Sequence, residues 1–73
     1  MPPKLPTTYK EIHRKLIALG FVIDRIKGSH VIYYHDRTKH RAVVPKHVRS
    51  IPKGTVKAIV RESGVDIVDF LNA

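Results

Sequence analysis

Five histidines in a chain of 73 residues are the side chains best suited to chemistry. Imidazole has an unperturbed pKa of about 6.5, so a histidine can accept or donate a proton near neutral pH. No recognisable ligand spacing relates the five, and the chain lacks both cysteine and a carboxylate cluster that could complete a coordination shell. We therefore expect no metal site and no cofactor. The histidines are His13, His30, His35, His40 and His47.

The segment Lys27-Gly28-Ser29-His30 makes His30 the leading candidate. A glycine lets the backbone approach a ligand closely, exposed amides there can meet a phosphate, and Lys27 adds positive charge. By position alone, a histidine at a strand start is more often a surface residue than a catalytic one. His47 is the second candidate, because it lies in a basic loop before a helix, where free amides and the helix dipole favour anions.

The charge of the chain indicates the partner. Fourteen Lys and Arg against six Asp and Glu give a net charge of +8, which attracts polyanions and makes nucleic acid the leading partner. An anionic membrane surface is disfavoured, because no segment joins a wide apolar face to a basic one. Too few carboxylates are grouped for two-metal phosphoryl chemistry. RNA offers a metal-free route, because its own 2′-hydroxyl can attack the neighbouring phosphorus once a side chain accepts the proton.

The helices and strands that must position these residues can be predicted from capping residues, helix-breaking residues and the spacing of apolar residues. Thr8 and Glu11 have the spacing of a capping box that begins a helix, and Gly20 ends it. Apolar residues recur every three to four positions between them, so one face is predicted to be core and the other basic. The core face carries Tyr9, Ile12, Leu16 and Leu19, and the basic face Lys10, His13, Arg14 and Lys15.

The rest of the chain predicts three strands, a second helix and a short helical turn capped by Asp66. The strands are placed at residues 21–26, 30–35 and 40–45, and the second helix begins at residues 52–55 and ends at Gly64. Residues 1–73 are thus predicted to form one α+β domain. Its three-stranded antiparallel sheet carries helices on one face and leaves the other face free. Double-stranded-RNA-binding domains share this α-β-β-β-α order, although order alone does not establish function.

Four local motifs, in order along nearly the whole chain, resemble the HicA toxin family. The segment at residues 27–30 is similar to the family's Gly-Ser-His motif, and Val44-Pro45-Lys46-His47 to its Val-Pro-x-His strand end. Lys53-Gly54-Thr55 with Ile59 and Gly64 resembles its second helix, and the segment from Lys10-Glu11 to Leu19-Gly20-Phe21 resembles its first.

This resemblance implies a double-stranded-RNA-binding-domain-like fold and the toxin of a type II toxin-antitoxin system. Such a toxin is a ribosome-independent mRNA interferase inhibited by a HicB-type antitoxin. The lack of cysteine and of a charged start followed by an apolar run predicts a cytoplasmic protein, and we expect no membrane partner and no small-molecule ligand. The family's catalytic histidine corresponds to His30, with Gly28 and Ser29 as the supporting residues of the same motif. His47 ends the other motif, and its chemical role is left unassigned.

As a hypothesis, His30 transfers the proton while Lys27, Lys46 and nearby amides bind phosphate, which leaves a cyclic phosphate and a free 5′-hydroxyl. His47 and Lys53 are further RNA-binding candidates, and the second acid-base group could be His47 or a lysine. The alternative is a non-catalytic double-stranded-RNA-binding-like module that binds the backbone of an A-form helix. A DNA-binding accessory protein is disfavoured, because no helix-turn-helix pairing is visible.

Overall fold

The structure is a computed structural model that describes residues 4–73. It has the predicted α+β architecture, with a three-stranded antiparallel sheet in the order β1-β2-β3 and a short third helix at the end. None of the helices in the described part of the chain is long and apolar enough to cross a bilayer. The elements are α1 (Tyr9–Ala18), β1 (Val22–Lys27), β2 (His30–Tyr34), β3 (Arg41–Pro45), α2 (Lys53–Ser63) and α3 (Ile67–Leu71).

The N-terminus of α1 forms half of the predicted capping box. The Thr8 hydroxyl accepts the Glu11 amide at 3.3 Å, which satisfies one of the free N–H groups of the first turn. The Glu11 carboxylate accepts a hydrogen bond from the Thr8 hydroxyl at 3.2 Å. In a full capping box it would instead accept one from the backbone amide of the cap residue. The cap nevertheless begins the helix where the sequence predicts, and Ile12 and Leu16 are buried beneath it.

The register of the sheet divides its side chains between two faces. Directly opposed residues of antiparallel strands project to the same side, so the buried pairs Val31–Val44 and Tyr33–Ala42 define the face that packs on the helices. Within residues 4–73 no helix packs on the opposite side, which we call the outer face. An irregularity between Ile23 and Arg25 bends β1 and inserts Asp24. The outer face consists of Val22, Arg25, Lys27, His30, Ile32, Tyr34, Arg41, Val43 and Pro45.

The helices cover the sheet unevenly. Both α2 and α1 contact β3, and α1 also contacts α3, whereas every residue of β1 is exposed. Ile23 and Ile26 therefore remain 42% and 56% exposed although they project toward the helix side of β1. The core is consequently concentrated under β2 and β3. It comprises Ile12, Leu16, Phe21, Val31, Tyr33, Ala42, Val44, Ile51, Val56, Ile59, Val60 and Phe70.

Lys15 departs from the predicted basic face of α1. It is 6% exposed, and its ammonium donates to the Leu71 carbonyl at 2.8 Å while lying 5.9 Å from the centre of the Phe70 ring. The free carbonyls at the end of α3 carry partial negative charge, so a cation is stabilised there. The expectation that Lys15 faces solvent is therefore wrong, because α3 packs across that part of α1.

Candidate functional site

A two-residue turn places His30 at one end of the sheet. Gly28 and Ser29 connect β1 to β2, and Gly28 has φ +60°, a left-handed conformation that glycine adopts without steric cost. A Cβ at Gly28 would meet no other atom within 4 Å. Glycine is therefore favoured here by the backbone conformation and not by a lack of space. The turn is exposed, and its surface is open to a ligand.

Lys27 and His30 flank this turn as a directly opposed pair. Both side chains are exposed and lie on the outer face, where opposed Cβ atoms are about 4.5–5.5 Å apart. On its other side His30 is paired with Pro45 of β3. A cationic ammonium and an imidazole are therefore side by side on the exposed outer face.

The end of β3 is joined to the same turn. The Lys46 amide donates to the Ser29 carbonyl at 2.7 Å, which holds the backbone of residues 45 and 46 beside it. The Lys46 ammonium, however, lies 5.9 Å from the centre of the Tyr9 ring, and Tyr9 is the first residue of α1. Lys46 thus contributes its backbone to the turn and directs its charge toward α1.

The remaining sequence-predicted RNA-binding residues lie further along the chain. His47 is exposed in the connection between β3 and α2. Lys53 is the first residue of α2 and borders a shallow cavity of about 430 Å³ with residues 4–7. The structure therefore groups Lys53 with the N-terminal segment, while Lys27, Gly28, Ser29, His30 and the backbone of Lys46 form one cluster at the sheet end.

A partly buried hydrogen-bonded network was not predicted from the sequence. His13 is half-buried and not a plain surface residue, and its Nδ1 lies 2.6 Å from the Tyr33 hydroxyl, which in turn lies 2.8 Å from the Tyr9 hydroxyl. Burial, followed by the hydrogen bond with Tyr9, raises the pKa of Tyr33 far above its ordinary value. The Tyr33 hydroxyl therefore stays protonated. The available signal was the i, i+4 spacing of Tyr9 and His13, which puts both on one helix face.

His35 and His40 serve packing at the opposite end of the sheet. Their backbones close the β2–β3 hairpin through the His35 amide, which donates to the His40 carbonyl at 2.9 Å. The His35 ring meets Phe21 edge-on, with ring centres 5.1 Å apart, and the His40 ring packs against Gly64. Within residues 4–73, no three His, Asp or Glu side chains are grouped so that they could hold a metal ion.

A comparison with known protein families identifies the family to which this fold and this candidate site belong. The profile of the family described as HicA toxin of bacterial toxin-antitoxin matches residues 9–65, which span all three strands and both longer helices. The chain belongs to the HicA toxin family. No individually curated protein matches the chain.

Membership of the HicA family confirms the resemblance seen in the sequence and assigns the chain a toxin role. A toxin of a toxin-antitoxin system implies an antitoxin partner that restrains it. The matched region contains the whole Lys27-to-His30 segment, residues 45–47 and Lys53. The candidate site therefore lies inside the part of the chain that defines the HicA family.

Proposed function

We propose that this HicA-family toxin is an endoribonuclease that cleaves messenger RNA without the ribosome, and that His30 is its catalytic residue. The supporting observation is the exposed pair of Lys27 and His30, opposed across the Gly28–Ser29 turn on a helix-free sheet face. A cation and an imidazole at this separation can both reach one phosphodiester. Its proposed site of action is the cytoplasm, and its proposed inhibitor is a HicB-type antitoxin.

The chemistry requires only the substrate's own nucleophile. The 2′-oxygen bonds to the adjacent phosphorus as His30 accepts its proton, and the bond from phosphorus to the 5′-oxygen breaks. The departing 5′-oxygen gains a proton, either from His30 or from a second group, for which His47 and a lysine are both candidates. The products are a 2′,3′-cyclic phosphate and a 5′-hydroxyl end.

Positive charge stabilises the phosphorane-like transition state. Lys27 is opposed to His30, so its ammonium can neutralise the phosphate at which the charge develops. The exposed amides of the Gly28–Ser29 turn can donate to the same oxygens. Lys46, His47 and Lys53 would bind neighbouring phosphates and add affinity, and Lys46 would add least because its ammonium lies against α1.

The test is the His30→Ala variant of the full chain, compared with wild type and with His40→Ala on an RNA gel. His30→Ala should lose cleavage, since general acid-base catalysis contributes about 10²–10⁴-fold in rate. Its RNA affinity and melting temperature should change little, because binding is spread over many cations and the side chain is exposed. His40→Ala removes an imidazole at the other end of the hairpin and should still cleave.

The ends of the products report the mechanism. The 5′ ends should accept phosphate from a polynucleotide kinase without prior phosphatase treatment, because cleavage leaves a 5′-hydroxyl. A well-folded His30→Ala protein that still cleaves RNA would overturn the assignment and favour His47. Wild-type protein that binds RNA and never cleaves it would favour the non-catalytic RNA-binding module instead.

A further inference from the structure

The outer face of the sheet extends well beyond the Lys27–His30 pair. At its far end Arg41 lies over the Tyr34 ring, with Cζ 4.7 Å from the ring centre. The Arg41 guanidinium also donates to the Asp24 carboxylate at 2.8 Å, so an ion pair holds it in place over the ring. Arg41 nevertheless keeps 54% of its side chain exposed. We call Tyr34 and Arg41 the stacking platform.

Charge selects the kind of ligand that this face takes. Arg25, Lys27 and Arg41 are cations on it, and Asp24 is the acidic residue beside them, already paired with Arg41 at 2.8 Å and with Arg25 at 3.9 Å. The excess of positive charge favours an anionic ligand. The platform adds planar groups, and a guanidinium over an aromatic ring provides a surface on which a flat heterocycle can stack.

The distance along β2 relates this platform to the candidate active site. His30 and Tyr34 are four residues apart on the same strand and on the same face, which corresponds to about 13 Å. Ile32 and Val43 lie between them and form an apolar strip. A chain of nucleotides lying along β2 would therefore place one phosphate at His30 and a base a few nucleotides away at Tyr34.

We propose that the stacking platform of Tyr34 and Arg41 is a nucleobase-binding subsite, which takes one unpaired base of a single-stranded RNA lying along the outer face. This inference rests on the proposed function, because it assumes that the phosphate at His30 belongs to RNA. Bases inside an A-form duplex are stacked on each other and cannot reach a platform, whereas unpaired bases stack on aromatic and arginine side chains. The substrate is therefore single-stranded.

Binding is measured by fluorescence anisotropy with the full-length His30→Ala protein, so that the RNA stays intact. The probe is a single-stranded RNA of about 12 nucleotides without self-complementarity, within the range such surfaces cover, and a matched duplex serves for comparison. Tyr34→Ile keeps a strand-forming apolar residue and removes the ring. It should weaken single-strand binding about fivefold or more, as expected from the loss of one base-aromatic stack.

Four comparisons separate the effect of stacking from the effects of charge and of folding. Tyr34→Ile should leave the salt dependence of binding unchanged, since no phosphate contact is lost. Tyr34→Phe, which retains the ring, should restore the affinity. Arg41→Gln should weaken binding more than Arg37→Gln, which removes an equal charge from the exposed hairpin tip. An abasic nucleotide moved along the probe should weaken binding at one position, and that penalty should disappear in Tyr34→Ile.

The proposal fails if folded Tyr34→Ile binds the single-stranded probe as tightly as the parent protein, or if the duplex binds equally well. Unchanged RNA affinity in every platform variant would instead favour a protein partner on the outer face. Failure of the proposed function gives a different pattern. In that case the wild-type protein would bind the probe without cleaving it, while the abasic penalty would still depend on Tyr34.

Discussion

Replacing Tyr33 by phenylalanine should lower the free energy of unfolding, because the Tyr33 hydroxyl joins two elements of the fold. It lies 2.8 Å from the Tyr9 hydroxyl and 2.6 Å from His13 Nδ1, and both partners belong to α1. A hydrogen bond contributes about 0.5–1.5 kcal/mol net. Both partners are only half-buried and can recover part of this from water. We expect a loss of about 1–2 kcal/mol, which in a domain of this size lowers Tm by about 5–15 °C.

The same variant should change how stability depends on pH. Burial raises the pKa of Tyr33 in the folded chain, whereas an unfolded tyrosine titrates with a pKa of about 10. The stability that depends on neutral Tyr33 is therefore fully present below pH 10 and is lost as the pH rises above it. This loss amounts to about 1.4 kcal/mol at pH 11. Tyr33→Phe cannot ionise at this position, so its stability should fall less over that interval.

The measurement is guanidinium unfolding at pH 8 and pH 11, followed by circular dichroism, with Tyr34→Phe as the matched control. Tyr34 is on the outer face and takes part in none of the hydrogen bonds that join Tyr9, His13 and Tyr33, so its variant should follow wild type at both pH values. The reasoning would be refuted if Tyr33→Phe were as stable as wild type at pH 8 and lost the same stability by pH 11.

Four further outcomes are expected. RNA binding, measured by filter binding, should weaken steeply with salt. Lys27→Gln should reduce the slope of log affinity against log salt concentration by about 0.7, and Lys46→Gln should reduce it less, because the Lys46 ammonium lies against α1. Equal changes of slope in the two variants would contradict this difference. Cleavage on an RNA gel should persist in EDTA, and activity that returned only with added metal would count against the proton-transfer mechanism. Gly28→Ala should lower the free energy of unfolding in urea by about 1–2 kcal/mol, because Gly28 has a positive φ and a Cβ there would meet no other atom. An unchanged unfolding midpoint would show that the turn tolerates a side chain. Lys15→Met should cost about 1.5–3 kcal/mol and increase amide hydrogen exchange in α3, and unaltered exchange would mean that its bond to Leu71 does not anchor the helix.

The helix ends and the β1–β2 turn could be predicted from signals that lie within a few neighbouring residues. Thr8 begins α1, Gly28 marks the β1–β2 turn with its positive φ, and Gly64 ends α2 with φ +71°. Asp66 caps α3 by accepting the Val68 amide at 2.9 Å. Each of these depends on the conformational preference of one residue or on a hydrogen bond within three residues, so the sequence determines them directly.

The order of the elements also determined the sheet, since short turns join only adjacent antiparallel strands. The sequence predicts that the first strand ends at residue 26, and the structure extends it to Lys27, which leaves a two-residue turn that opposes Lys27 and His30. The position of the candidate site at a strand end could thus be predicted, and so could the family, from motifs within residues 9–65.

Contacts between residues far apart in the chain were decided only by the tertiary structure. Whether His13 faces solvent depends on Tyr33, twenty residues later, and the burial of Lys15 depends on α3, more than fifty residues later. The stacking platform likewise needs the bulge that brings Asp24 to Arg41, seventeen residues away. Periodicity assigns a side chain to a helix or strand face, but it does not say which other element covers that face. Packing alone settles whether a cation such as Lys15 or Lys46 meets a carbonyl, an aromatic ring or the solvent.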